Sequence, residues 1–152
     1  MDEDQLEALT GIRVTMMLAD YAAAADGKLT IVGGGWTYTG PGPTSFGIAM
    51  LLEIPWALAN TPHQMQLDLL DIDGEPVLAE DGEAIMIAGE FEIGAPEDSQ
   101  PGSQLTMPVA LNNPGVFFPP ASTLEWRLSI DGKSRPDWRL IFHTRSLDDD
   151  VE

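Results

Sequence analysis

Ile31-Val32-Gly33-Gly34-Gly35-Trp36 is the stretch whose residue types come nearest to a chemical device. A glycine run after an apolar strand cradles phosphate when a helix N-terminus follows and aims its N–H groups at the anion. Here Thr37-Tyr38-Thr39-Gly40-Pro41 follows, which reads as strand and turn, and no lysine follows the glycines within reach. The glycines therefore read as a bulge or bend that lets Trp36 pack or another backbone approach. Leu70-Asp71-Ile72-Asp73-Gly74-Glu75 spaces its carboxylates like a cation loop. An EF-hand loop, however, places glycine sixth and a bidentate Glu twelfth between two helices. In this segment the glycine comes early and strands flank it, so a hairpin turn is the first reading. The alternative is a calcium site in which loops at one end of the fold gather Asp71, Asp73, Glu80 and Asp81.

Nothing comparable points to catalysis. His63 and His143 are far apart, and neither has a second histidine at metal-ligand spacing. The chain has no cysteine, no Gly-x-Ser-x-Gly elbow and no Ser-x-x-Lys. Carboxylate pairs can be drawn from 25 acids in any fold, so they discriminate nothing. His143 follows Phe142 on an alternating segment and is expected to face solvent. With no nucleophile, base and orienting group to name, the expectation is a protein that is not an enzyme and carries no cofactor.

The segment most suited to a partner is Asn113-Pro114-Gly115-Val116-Phe117-Phe118-Pro119-Pro120. Adjacent residues of a strand face opposite ways, so Phe117 and Phe118 must diverge. Both rings are expected in the core if the segment is covered on both faces, which aromatic burial favours. At an edge or loop, one ring is left for docking. Val116, Phe117 and Phe118 are the apolar contact candidates, and Arg135 and Arg139 the charged ones.

Charge narrows the partner class. The chain carries 25 acids against 7 bases, a net charge of −18. Between Lys28 and Arg127 there are thirteen acids and no base, while five of the seven bases fall at Arg127, Lys133, Arg135, Arg139 and Arg145. Binding nucleic acid requires cations that displace counterions from phosphates, so DNA, RNA and anionic membrane surfaces are excluded as partners. The acidity reads first as solubility and more specifically as complementarity to a basic surface or a divalent cation. No apolar run is long enough for a spanning helix, and Met1-Asp2-Glu3-Asp4-Gln5 is acidic where a signal peptide is basic. The expected location is the cytoplasm, or a virion if a phage encodes the chain.

The elements that must position these residues are strands. Ile12, Val14, Met16 and Leu18 alternate, as do Ile48, Met50, Leu52 and Ile54, and Ile85, Ile87, Phe91 and Ile93. Leu124, Trp126, Leu128 and Ile130 alternate with Glu125, Arg127 and Ser129, and Trp138, Leu140 and Phe142 follow. Period two marks strands with one face in a core. Four Asp-Gly pairs, at 26–27, 73–74, 81–82 and 131–132, suit tight turns with positive φ. The reading is all-β: an antiparallel β-sandwich of about seven to nine short strands with one or two short helical turns. The strands are placed at about 12–19, 29–38, 45–54, 64–71, 76–79, 84–93, 104–111, 122–131 and 137–145. Asp20–Ala25 and Trp56–Ala59 are the expected helical turns, and residues 2–9 a short helix that needs docking. The chain divides into an acidic extension (1–11), one domain (12–146) and an acidic tail (147–152).

Val14-Thr15-Met16-Met17-Leu18-Ala19-Asp20 and Gly27-Lys28-Leu29-Thr30 running into the glycine–tryptophan stretch carry a further signal. With Ile54-Pro55-Trp56 and Trp126-Arg127-Leu128-Ser129-Ile130-Asp131-Gly132, they resemble a family of small bacterial domains of unknown function. That family is found notably in actinobacteria and in some of their phages. The resemblance covers most of residues 12–145 and implies a compact β-sandwich, with no catalytic residues to carry across. The functional expectation is a structural or interaction protein that docks on a larger protein assembly, as a homo-oligomer or on a virion lattice as a decoration or minor structural protein. The alternative is a module binding calcium or carbohydrate at the loop end, with Trp36, Trp56 or Tyr38 exposed near Asp71 and Asp73.

Overall fold

A computed structural model describes residues 3–147, with residues 4–6 described by their backbone alone. The ends of the acidic extension and tail, Met1-Asp2 and residues 148–152, lie outside the described residues. Two sheets enclose the core, and the fold is all-β.

The first sheet joins β1 (Arg13–Ala19), β5 (Gly42–Pro55) and β8 (Gln104–Phe118) in the order β1-β5-β8, all antiparallel. The second has the order β4-β10-β9-β6-β7, from β4 (Tyr38–Thr39), β6 (His63–Leu70), β7 (Met86–Phe91), β9 (Thr123–Ile130) and β10 (Lys133–Thr144). Its pairs are antiparallel except for the short parallel pairing of β4 with β10, where Tyr38 faces His143 and Thr39 faces Thr144.

The alternation read from the sequence decides which face each strand buries. Phe46, Ile48, Met50, Leu52 and Ile54 of β5 point inward together, and Leu124, Trp126, Leu128 and Ile130 of β9 meet them from the other sheet. The Phe46 and Trp126 rings touch across the layer at 5.8 Å between centroids, and Phe118 and Phe142 close the same aromatic cluster at 5.0 Å. Burial of these faces is the main stabilising term of the fold, at about 25 cal/mol per Å² of apolar surface.

Strand number and length depart from expectation. Among the described residues there are ten strands, and β5, β8 and β10 run 14, 15 and 12 residues. Their irregular points are absorbed within the strand, by register shifts between Thr44 and Phe46 and between Ser134 and Arg139. Glycine and proline at those places mark bulges instead of strand ends. The expected strand at 76–79 is only a pair of isolated bridges, Leu70 with Pro76 and Leu78 with Ala84. The Asp73-Gly74 and Asp81-Gly82 turns sit beside them, with positive φ at both glycines.

The helical turn expected at Asp20–Ala25 is a strand. β2 (Tyr21–Ala25) pairs with β3 (Lys28–Val32) through an Asp26-Gly27 turn in which both residues have positive φ. Alanine's helix preference is overridden because this hairpin lies on the outer face of the first sheet, where only small residues fit. Ala22 is fully buried there, next to Gly47. A side chain at Gly47 would stand 2.6 Å from Asn112 Oδ1 and 3.2 Å from the Ala22 nitrogen. The Asn112 amide imitates a strand partner: it accepts from Ala22 N–H at 3.1 Å and donates to Ala22 C=O at 2.7 Å. Asn112→Ala leaves both buried groups unpaired. It is expected to cost about 2 kcal/mol, read as a lower melting temperature with faster amide exchange across residues 21–32.

The other two helical expectations stand. Pro55 leads into a 3-10 turn at Trp56–Leu58, and α1 (Glu3–Leu9) buries Leu9 against the core. Seven residues are too few for a stable isolated helix, so this docking is what holds α1.

Candidate functional site

Phe117 and Phe118 do diverge, and the two rings have different fates. Phe118 is fully buried and packs on Phe46 at 5.6 Å between centroids. Phe117 is 47% exposed. The expectation that both rings belong to the core is thus corrected for Phe117. Phe118 lies on the face of β8 turned to the second sheet, and Phe117, one residue earlier, lies on the opposite, outer face. Gly115, at φ +69°, and the bulge opposite Thr44 turn this end of the strand outward.

Beside Phe117 lies an open cleft of about 560 Å³, mostly apolar, lined by Pro43, Ile85, Val116 and Phe117 and rimmed by the exposed Glu80 and Asp81. Ala79, Glu80, Asp81 and Ile85 form its far wall, in a segment that begins with the turn at Asp71. Asp71 Oδ1 accepts from the N–H groups of Asp73 and Glu75, and Asp81 Oδ1 from that of Glu83, so each carboxylate shapes its own turn. No group of three His, Asp or Glu side chains among the described residues could hold a metal ion. The four residues of the calcium alternative stand on two successive turns, Asp71 and Asp73 on the first and Glu80 and Asp81 on the second, where Glu80 and Asp81 also line the Phe117 cleft.

Arg135 and Arg139 come together elsewhere. With Arg127 they line a cleft of about 340 Å³ at the β10 bulge. Glu125 accepts from Arg127 Nε at 2.7 Å and lies 3.7 Å from Arg139, while Arg135 is 3.8 Å from Asp137 and donates to the Thr10 carbonyl. Each guanidinium is about half exposed, and such pairs are worth at most about 1 kcal/mol. Arg135 sits near the end of the sandwich where Arg13 pairs with Glu53, and Phe117 sits at the other end, where Pro43 pairs with it. Four of the five contact candidates therefore fall on two separate surfaces, Val116 and Phe117 on one and Arg135 and Arg139 on the other, while Phe118 belongs to the core.

The histidines are both tied down. His143 faces outward as expected, but it is half-buried under Tyr38, with ring centroids 5.0 Å apart, and its Nδ1 is 3.0 Å from Thr123 Oγ1. His63, 2% exposed, lies 2.7 Å from Asp131 Oδ2 through Nδ1 and 2.8 Å from the Leu58 carbonyl through Nε2. A His–Asp pair is two-thirds of a hydrolytic triad. Here the nitrogen that would take a proton from a nucleophile faces a backbone carbonyl, so the arrangement clamps the turn at Leu58 to the Asp131-Gly132 hairpin.

The glycine run bends without any helix behind it. Gly33 and Gly35 have φ of +60° and +89°, and Gly35 N–H donates to Leu18 C=O at 2.7 Å. A side chain at Gly33 would overlap the Asp20 carboxylate, and one at Gly34 would stand 2.6 Å from Ile31 Cγ2. The close-approach reading of these glycines is what the geometry shows. Asp20 in the same bend is unsuited to phosphate.

Sequence reasoning left out Pro43, Ile85, Arg127 and Asp20. Pro43 and Ile85 reach the Phe117 cleft from segments far apart in the chain, while Arg127 and Asp20 reach theirs across the β9–β10 and β2–β3 hairpins, whose register no local spacing records. A model for a family of unknown function, DUF6941, matches residues 14–143. No curated protein and no solved structure matches the chain.

Proposed function

The chain belongs to the DUF6941 family of unknown function, and we propose that it is a non-enzymatic interaction domain that docks on a larger protein assembly through the Phe117 corner. The observation that carries this reading is a half-exposed phenylalanine standing beside an apolar cleft with an acidic rim. A single aromatic seated in a pocket is the usual energetic centre of a protein interface. The partner is a protein segment with an apolar anchor for the cleft and basic residues for Glu80 and Asp81. A chain of net charge −18 attracts such a segment at long range and repels acidic competitors. Decoration of a virion lattice is one form such an assembly would take, with co-sedimentation with particles as its signature.

Phe117→Asp is the direct test. The ring is exposed, so the melting temperature is expected to stay within about 1–2 °C of wild type, since surface changes cost at most about 0.5 kcal/mol. Capture of the partner is expected to fall by about 30-fold or more, the effect of losing a central anchor. Equal capture by both proteins would rule out this corner as the docking surface.

A further inference from the structure

A second cleft, of about 450 Å³, lies beside the glycine bend at the end of the sandwich that carries β4. Its size is within the range of small-molecule sites. Trp36 forms one wall. Its indole is fixed edge-on against Phe46 and Phe142, at 6.4 and 6.0 Å between centroids and interplanar angles of 81° and 87°. Tyr38 also lines the cleft, 60% exposed, with one side of its ring tilted onto His143 at 5.0 Å between centroids. Its backbone is held by the pairing with β10, through hydrogen bonds from His143 N–H to Thr37 C=O and from Arg145 N–H to Thr39 C=O. Asp20 enters from the β1–β2 corner, against Gly33. Thr44 and Ser45, at the β5 bulge, complete the polar side.

Two of these groups have unused hydrogen-bonding capacity. Among the described residues neither the Asp20 carboxylate nor Trp36 Nε1 has a hydrogen-bond partner, whereas Trp56 Nε1 donates to Ser99 Oγ at 3.2 Å. The cleft therefore offers a carboxylate acceptor, an indole donor, two hydroxyls and an aromatic face. No lysine or arginine lines it, so an anion meets only the repulsion of Asp20. A lone carboxylate falls short of the six or more oxygens that calcium takes. An apolar ligand would leave the carboxylate and hydroxyls unpaired.

The ligand class that uses all of them is a neutral polyol with one apolar C–H face. We propose that this cleft binds a neutral saccharide, with the sugar's C–H face against Tyr38 and its hydroxyls donating to Asp20 and to Thr44 Oγ1 (whose own proton goes to the Gly42 carbonyl), exchanging hydrogen bonds with Ser45 and accepting from Trp36 Nε1–H. Hydroxyls donating to an ionised carboxylate are about twice as strong as neutral pairs, which makes Asp20 the main polar contact. This site shares no residue with the Phe117 corner, and neither reading depends on the other.

Four indole N–H signals in a nitrogen–proton correlation spectrum report the test, assigned by Trp36→Phe. The probes are glucose, galactose, mannose, N-acetylglucosamine, maltose, cellobiose and chitobiose, each at about 50 mM, enough to populate a millimolar site. Inorganic phosphate and calcium chloride are run in parallel. At least one sugar is expected to move the Trp36 signal and leave those of Trp56, Trp126 and Trp138 in place. Asp20→Asn and Tyr38→Ala should each weaken that binding by about ten-fold, with unchanged melting, and Tyr38→Phe should keep it. The proposal is overturned if no sugar moves the Trp36 signal, if phosphate or calcium moves it where sugars do not, or if both weakening variants bind as wild type does.

Discussion

Truncating Trp126 to alanine is expected to lower the unfolding free energy by about 4 kcal/mol, in the range found for large aromatic deletions from a core. Its ring is 0% exposed, and the strand that carries it is paired on both sides, with Leu140 of β10 and Leu69 of β6 opposite. The space left behind cannot collapse easily, because two ladders hold the backbone in place. The cost includes transfer of the indole out of the core and loss of its contact with Phe46. In a domain of this size the melting temperature should fall by roughly 8–16 °C. Arg127, the next residue, faces solvent, and Arg127→Ala is expected to cost no more than about 1 kcal/mol, the loss of its pair with Glu125. Denaturant unfolding of the two variants checks the assignment of faces on β9, since a register slipped by one residue reverses the order.

The second large effect is expected at His63. His63→Ala should cost about 3 kcal/mol, because it leaves the Leu58 carbonyl without its donor and the largely buried Asp131 carboxylate without its partner. The clamp spans residues distant in sequence, and Asp131 also binds the Gln64 N–H through Oδ1 at 2.9 Å. Asp131→Asn keeps an oxygen for that bond, and asparagine tolerates the positive φ of 51° at this turn. It is therefore expected to cost less than His63→Ala. Thermal melts of the two variants test the order. Equal losses, or none, would show that the clamp does not hold the turn.

These two residues also mark what the sequence could and could not disclose. Trp126 was legible because its neighbours announce their face: Leu124, Leu128 and Ile130 alternate with charged and polar residues, and a period of two needs no knowledge of the partner strand. The same holds for Ile48 to Ile54. The Asp-Gly turns were legible because positive φ is a local requirement. His63 was not, since its role depends on Asp131 and on a carbonyl at Leu58, and nothing in the intervening chain records that meeting. Ala22 to Ala25 misled for a related reason: the residues report their size, and the structure uses the size to lay a hairpin over Gly47 where local propensity favours a helix.

At the candidate sites the same division applies. Phe117 and Phe118 had to diverge on a strand, but which ring stays outside depends on which face of β8 meets the second sheet, a fact of layer packing that alternation alone does not record. Trp36 and Tyr38 were marked by type, yet the carboxylate beside them is Asp20, brought in by the β1–β2 corner, and not Asp71 or Asp73.

The docking reading stands or falls on retention of a protein partner by the tagged chain in cells that make it, compared between wild type and Phe117→Asp at low and at physiological salt. The expected result is a discrete basic protein held by wild type, more strongly at low salt as charge steering requires, and reduced by about 30-fold or more in the correctly folded variant. Equal retention by the variant, or no protein held above an untagged control at either salt, would contradict docking through the Phe117 corner.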